Sequence, residues 1–217
     1  MPAIIARRGA WSCCGRPAAR RVPVGKRFDT LLREIRACEI CAEHLADGPR
    51  PVVQCDPASR ILIVGQAPGR KVHETGIPFN DPSGVKLREW MGVEPDTFYD
   101  PKKVALLPMG FCFPGTGKSG DLPPRTECAE AWRERLLAEL KNVELTLVLG
   151  KYAQAYHLEK TYPSVTDAVK DWEAGWPERL TLPHPSPRNR LWLRRNEWFE
   201  RDVIPRLQAR IRELLGG

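Results

Sequence analysis

Four short apolar runs constrain this chain most: ILIV at 61–64, VALL at 104–107, LTLVL at 145–149 and LTL at 180–182. Each is too short for a buried helix and is bounded by polar, proline- or glycine-bearing sequence. Strands that are apolar on both sides belong in a sheet with both faces covered. Segments of helical period separate them. Asp81-Pro82 suits the N-cap and first turn of a helix running through Trp90, and 129–140, 152–157 and 164–172 are further candidates. Ser164 and Asp167 have capping-box spacing, and Pro205 should kink or offset a last helix over 197–215. Ahead of the first run, Phe28, Leu31, Leu32 and Ile35 mark one face of a helix. The chain therefore reads as α/β: a single-domain three-layer α/β/α arrangement with a mainly parallel four-stranded central sheet. Its 217 residues, 42% of them hydrophobic, suffice for one such core, assigned to 28–217.

The net charge of +7 is not spread over that domain. Arg7, Arg8, Arg16, Arg20, Arg21, Lys26 and Arg27 stand in 1–27 with no acidic residue among them, which reads as a basic, disordered tail. The rest of the chain is formally neutral, so a nucleic-acid face would have to come from local clustering, as in Arg188, Arg190, Arg194 and Arg195. No apolar run approaches the ~20 residues of a membrane span, and the first residues lack a secretory pattern. A cytoplasmic, monomeric protein without membrane contact is expected. Seven cysteines in such a chain point to metal or redox use rather than to a disulfide scaffold.

In open parallel sheets, ligands bind beyond the carboxyl ends of the strands. Three of the runs lead into unusual loops there: GQAPG at 65–69, MGFCFPGTGKSGDLPP at 109–124 and HPSPRN at 184–189. The middle loop contains GTGKSG, which superficially suggests a phosphate-binding loop. Cys112 stands where that motif requires its first glycine, and Pro123-Pro124 follow before a helix could start, so nucleotide hydrolysis is excluded.

Taken together, GQAPG after the first strand, Gly76-Ile77-Pro78-Phe79, and His184-Pro185-Ser186 after the last strand resemble the uracil-DNA glycosylase superfamily over about 28–215. The resemblance implies extrusion of a damaged base from DNA and hydrolysis of its N-glycosidic bond. It implies a base pocket formed by Gly65, Ala67, Gly69, Phe79, Asn80 and Met109, with Phe79 stacking on the extruded ring. Ser83, Ser186, Pro187, Arg188 and Leu191 would meet DNA, with Arg188 or Leu191 filling the vacated base step. Cys38, Cys41, Cys112 and Cys128 resemble the ligand spacing of the iron–sulfur branch (family 4), implying a [4Fe–4S] cluster; four thiolates equally suit zinc.

Cleavage leaves negative charge on the base and positive charge on the sugar, so a donor near the base and an acceptor near the attacking water are required. His184 is the expected donor, neutral if its loop is dry. Some relatives carry Asp where this chain has Ala67. Gln66 can orient water, and Asp81 is the expected base, with Glu74 and Asp121 the other nearby carboxylates. Relatives usually place Asn just beyond the second strand to read uracil, whereas this chain reads Leu107-Pro108-Met109-Gly110. Uracil is the first expectation, to be read by backbone, Asn80 or Gln66, with hypoxanthine and xanthine as alternatives. No histidine lies between Cys112 and Cys128, which implies turnover rather than a covalent adduct with uracil-DNA. Two other functions fit parts of the pattern: a non-catalytic binder of uracil-containing or abasic DNA, and an iron–sulfur protein of another class.

Overall fold

The structure, a computed structural model, describes residues 24–118 and 120–216. Most of the expected basic tail lies outside the described residues. Helix α1, Val24–Arg36, starts within that tail, four residues before the first periodic apolar position. It buries Phe28, Leu31 and Ile35.

After a 3-10 turn at Ala42–His44 come β1 (Ile61–Val64), α2 (Arg70–Thr75), α3 (Pro82–Met91), α4 (Pro95–Phe98) and β2 (Val104–Leu106). A small hairpin of β3 (Thr116–Gly117) and β4 (Gly120–Asp121) follows. A π-helical turn at Ala129–Arg133 runs into α5 (Glu134–Glu139), and β5 (Leu145–Leu149), α6 (Gly150–His157), α7 (Val165–Lys170) and β6 (Arg179–Leu182) complete the sheet region. The chain ends with α8 (Arg190–Arg195), a π-helical turn at Phe199–Val203 and α9 (Ile204–Leu215). Pro205 sits in the first turn of α9, where its missing N–H costs nothing, and the offset expected of it appears as the preceding π turn.

The four long strands form one parallel sheet in the order β2-β1-β5-β6. Their alternating side chains make two cores. Ile61 and Ile63 pack with Leu87, Trp90 and Met91 of α3 and Leu207 and Ile211 of α9. Leu62 and Val64 face the other way, with Phe28, Leu31 and Ile35 of α1 and Leu136 of α5. This three-layer packing is why the strands carry apolar residues at every position. The β2 edge is shielded by Gln54, which exchanges backbone hydrogen bonds with Leu106 and whose amide donates to the carbonyls of Phe98 and Val104. No helix among the described residues is long and apolar enough to cross a membrane.

Candidate active site

The loops after β1, β2 and β6 enclose a cleft of about 480 Å³, within the ~300–1,000 Å³ typical of small-ligand sites. Its floor is apolar, from Val52, Ile63, Val72 and Leu106, and its rim carries Gln66, Asp81, Asp121, His184 and Asn189. Phe79 stands in one wall with its ring edge-on to Phe98, 6.1 Å between centroids. Its φ of +52° is left-handed, a conformation costly for a bulky residue and common at functional sites. Three contacts hold it there. The Tyr99 hydroxyl donates to the Phe79 carbonyl at 3.4 Å, the Asp81 carboxylate caps α3 by accepting from the Gly84 N–H at 2.9 Å, and Gly84 leaves room for the Phe79 carbonyl against the helix.

Thr116–Gly117 and Gly120–Asp121, within the loop that carries the glycine-rich stretch, pair as the hairpin β3–β4, which contributes Gly120 and Asp121 to the cleft between the other two loops. Gln66 Nε2 donates to the Leu122 carbonyl at 2.9 Å, and Arg188 packs against Gly120, whose φ of +136° suits glycine. Across the cleft, the Asn189 amide donates to the His184 carbonyl at 2.7 Å and the Ser186 hydroxyl accepts from the Arg188 N–H, fixing the HPSPRN loop. Burial pulls the His184 pKa below the usual histidine range, opposed by the charges of Asp81 and Asp121, so the ring is neutral at pH 7.

Residues 52–208, well over half the chain, match the family model of the uracil DNA glycosylase superfamily. The chain belongs to that superfamily. Among the residues singled out by its motifs, the cleft gathers Gly65, Gln66, Ala67, Gly69, Phe79, Asp81, Ser83, His184, Ser186 and Arg188. Asp81 has both of its expected positions at once, in the cleft and as an N-cap.

Four expected residues do not line the cleft. Met109 is buried in the core beside Leu62 and Val64. The chain beyond β2 stays paired to the first loop, Met109 N–H donating to the Gly65 carbonyl and Gly110 N–H to that of Gln66, so strand alternation turns Met109 inward and Pro108 towards the cleft. Asn80 is half-buried but outside the lining, the left-handed turn at Phe79 redirecting the chain. Pro187 borders a neighbouring groove with Lys86, Arg190 and Arg194. Leu191 projects from α8, 64% exposed. The sequence reading passed over Asn189, although it lies within HPSPRN, and Arg133, whose sequence position carries no sign of its role.

Arg133 is fully buried on the π-helical turn after Cys128. It donates to the Pro108 carbonyl at 2.8 Å, to the Leu107 carbonyl at 3.3 Å, and to His157 Nε2 at 2.8 Å. Burial lowers its own pKa to about 10; burial and the Arg133 charge lower that of His157 to about 3. His157 is thus a neutral acceptor, and the cleft wall at Leu107-Pro108 is anchored by a buried cation.

On the far side of that wall, Cys38, Cys41, Cys112 and Cys128 surround one small void with Leu45, Pro49, Pro51, Phe111 and Trp132. All four are free thiols. Trp132 Nε1 donates to Cys38 Sγ at 3.2 Å and the Phe111 N–H to Cys128 Sγ at 3.4 Å. Burial raises the thiols of Cys41, Cys112 and Cys128 above the usual cysteine range, and among the described residues no group of three or more His, Cys, Asp or Glu is arranged to hold a metal ion. Cys55 is buried elsewhere in the core.

Proposed function

We propose that this protein is a DNA glycosylase that extrudes a deaminated base, uracil first, and hydrolyses its N-glycosidic bond to begin base-excision repair. The observation that supports this best is one cleft holding Phe79, from the loop after α2, and His184, from the loop after β6, over an apolar floor. An extruded ring stacks on Phe79, and the apolar floor excludes water from it. His184, kept neutral by burial, donates to the base oxygen on which charge develops. Glycosylases move the target nucleotide, so affinity must come from phosphates: Arg188 and the adjoining groove of Lys86, Arg190 and Arg194 supply the cations, and exposed Leu191 the wedge.

Cys38, Cys41, Cys112 and Cys128, which line one void, would hold the [4Fe–4S] cluster of this reading, zinc being the alternative. Bound there, the group would supply a structural cross-link rather than redox chemistry. Cys38 and Cys41 follow α1, Cys112 lies in the loop beyond β2, and Cys128 opens the turn that carries Arg133. The residues between them and the cleft are Pro51-Val52 and Arg133.

The deciding experiment is incubation with labelled duplexes containing one U·G or one hypoxanthine pair, followed by alkaline cleavage. Strand breaks at uracil support the reading as stated; breaks only at hypoxanthine keep the chemistry and change the substrate. Binding to lesion DNA without breaks at either would make the protein a damage binder, a reading that Ala67 favours.

A further inference from the structure

Ala67 supplies no carboxylate, and one oxygen of Asp81 is tied to the Gly84 N–H, so water activation has no evident owner on the first loop. The hairpin β3–β4 brings a different carboxylate. Asp121 ends β4 in the lining of the cleft, with its Oδ2 over Gly69: a Cβ built on that glycine would lie 3.6 Å from it. The hairpin is held in this place from both sides, by the Gln66 amide on the Leu122 carbonyl and by Arg188 against Gly120. Among the described residues, neither Asp121 oxygen accepts a hydrogen bond or closes an ion pair, so the carboxylate carries no structural bond that catalysis would break.

We propose that Asp121 is the general base of the hydrolysis, occupying from the hairpin the role that relatives give to a residue of the first loop. The assignment rests on the glycosylase reading above. In the step, a water oxygen bonds to C1′ of the extruded nucleotide while one of its protons passes to the Asp121 carboxylate. The C1′–N bond breaks, and its electron pair leaves with the base. His184 stabilises the resulting anion by donating a hydrogen bond, and the anion takes a proton from solvent as Asp121 returns its own. The products are the free base and an abasic sugar with hydroxyl at C1′.

The surroundings suit a base. The charged and titratable groups facing Asp121 are Arg188, Arg70, His184 and Asp81. Burial raises the Asp121 pKa above the usual carboxylate range, against the lowering effect of Arg188, Arg70 and His184, while Asp81 adds to the rise. A carboxylate raised in this way is a better proton acceptor than an open-surface aspartate.

The test is single-turnover excision by Asp121→Asn, Asp121→Glu and Asp81→Asn, with affinity for abasic duplex measured in parallel. Asp121→Asn should lose ~10²-fold or more in rate with affinity kept within about threefold, and Asp121→Glu should recover part of the loss. The wild-type rate should fall on the acid side as Asp121 protonates, and Asp121→Asn should lose that limb. Wild-type excision with Asp121→Asn equally active, or with the greater loss in Asp81→Asn, would overturn the assignment alone. Lesion binding with no excision by the wild type would overturn the glycosylase reading and this assignment with it.

Discussion

Gly84→Ala separates two opposite physical expectations. In the first turn of α3, helix propensity alone would make alanine more stable by up to ~1 kcal/mol. The structure places a Cβ there inside the Phe79 carbonyl oxygen, and only 2.7 Å and 2.8 Å from the Phe79 carbonyl carbon and Cβ. These are backbone and near-backbone atoms, so no rotamer change relieves the contact. Either the turn at Phe79 or the start of α3 must move. Moving α3 breaks the Asp81 cap, worth ~0.5–2 kcal/mol, and forced overpacking typically adds ~1–3 kcal/mol. Net of propensity, a loss of about 1–4 kcal/mol is expected, or a drop in Tm of roughly 3–15 °C for a chain of this size. Because Phe79 is the group displaced, excision should fall further than stability does. Thermal melts and excision rates are compared with those of Val85→Ala, a neighbouring exposed position expected to stay near wild type. A Gly84→Ala protein as stable and as active as wild type would refute this account of how Phe79 is held.

Two further outcomes are expected. The folded-state pKa of His157, about 3, lies below the unfolded value near 6.5, so the unfolded chain binds the extra proton first; stability is full above pH ~6.5 and declines towards pH 3 by at most about 1.4 kcal/mol per pH unit. Denaturation midpoints of His157→Gln, which keeps an acceptor for Arg133, should fall less steeply over that window, and identical slopes would count against the assignment. Elemental analysis of the anaerobically purified protein should find ~4 iron per chain for the cluster, or ~1 zinc for the alternative. Cys112→Ser should deplete it while Cys55→Ala should not; metal-free wild type of full stability would remove the metal centre.

The sheet was legible because burial on both faces leaves no polar alternation to confuse with helix, and the Asp81-Pro82 and Ser164–Asp167 caps were legible because a cap is local chemistry. The hairpin β3–β4 was not. It contains almost no apolar residue, and what shapes it is the backbone freedom of Gly115 and Gly120, both at positive φ. Helix α2 buries only Val72, so it shows no period. At Pro108-Met109 a single position of strand register decided which residue faces the cleft. That the backbone engages Asp81, through the Gly84 N–H, is information only the three-dimensional arrangement holds.

Arg133 grips the cleft wall by main-chain carbonyls, not by the side chains of Leu107 and Pro108. Every residue type offers the same carbonyl oxygen, so replacement of the residue facing the cleft leaves the anchor intact. The anchorage of the wall and the chemistry it presents can therefore change independently over evolutionary time. A lineage could exchange the residue facing the cleft at this position, and so change what the cleft accepts, without first rebuilding the scaffold beneath it.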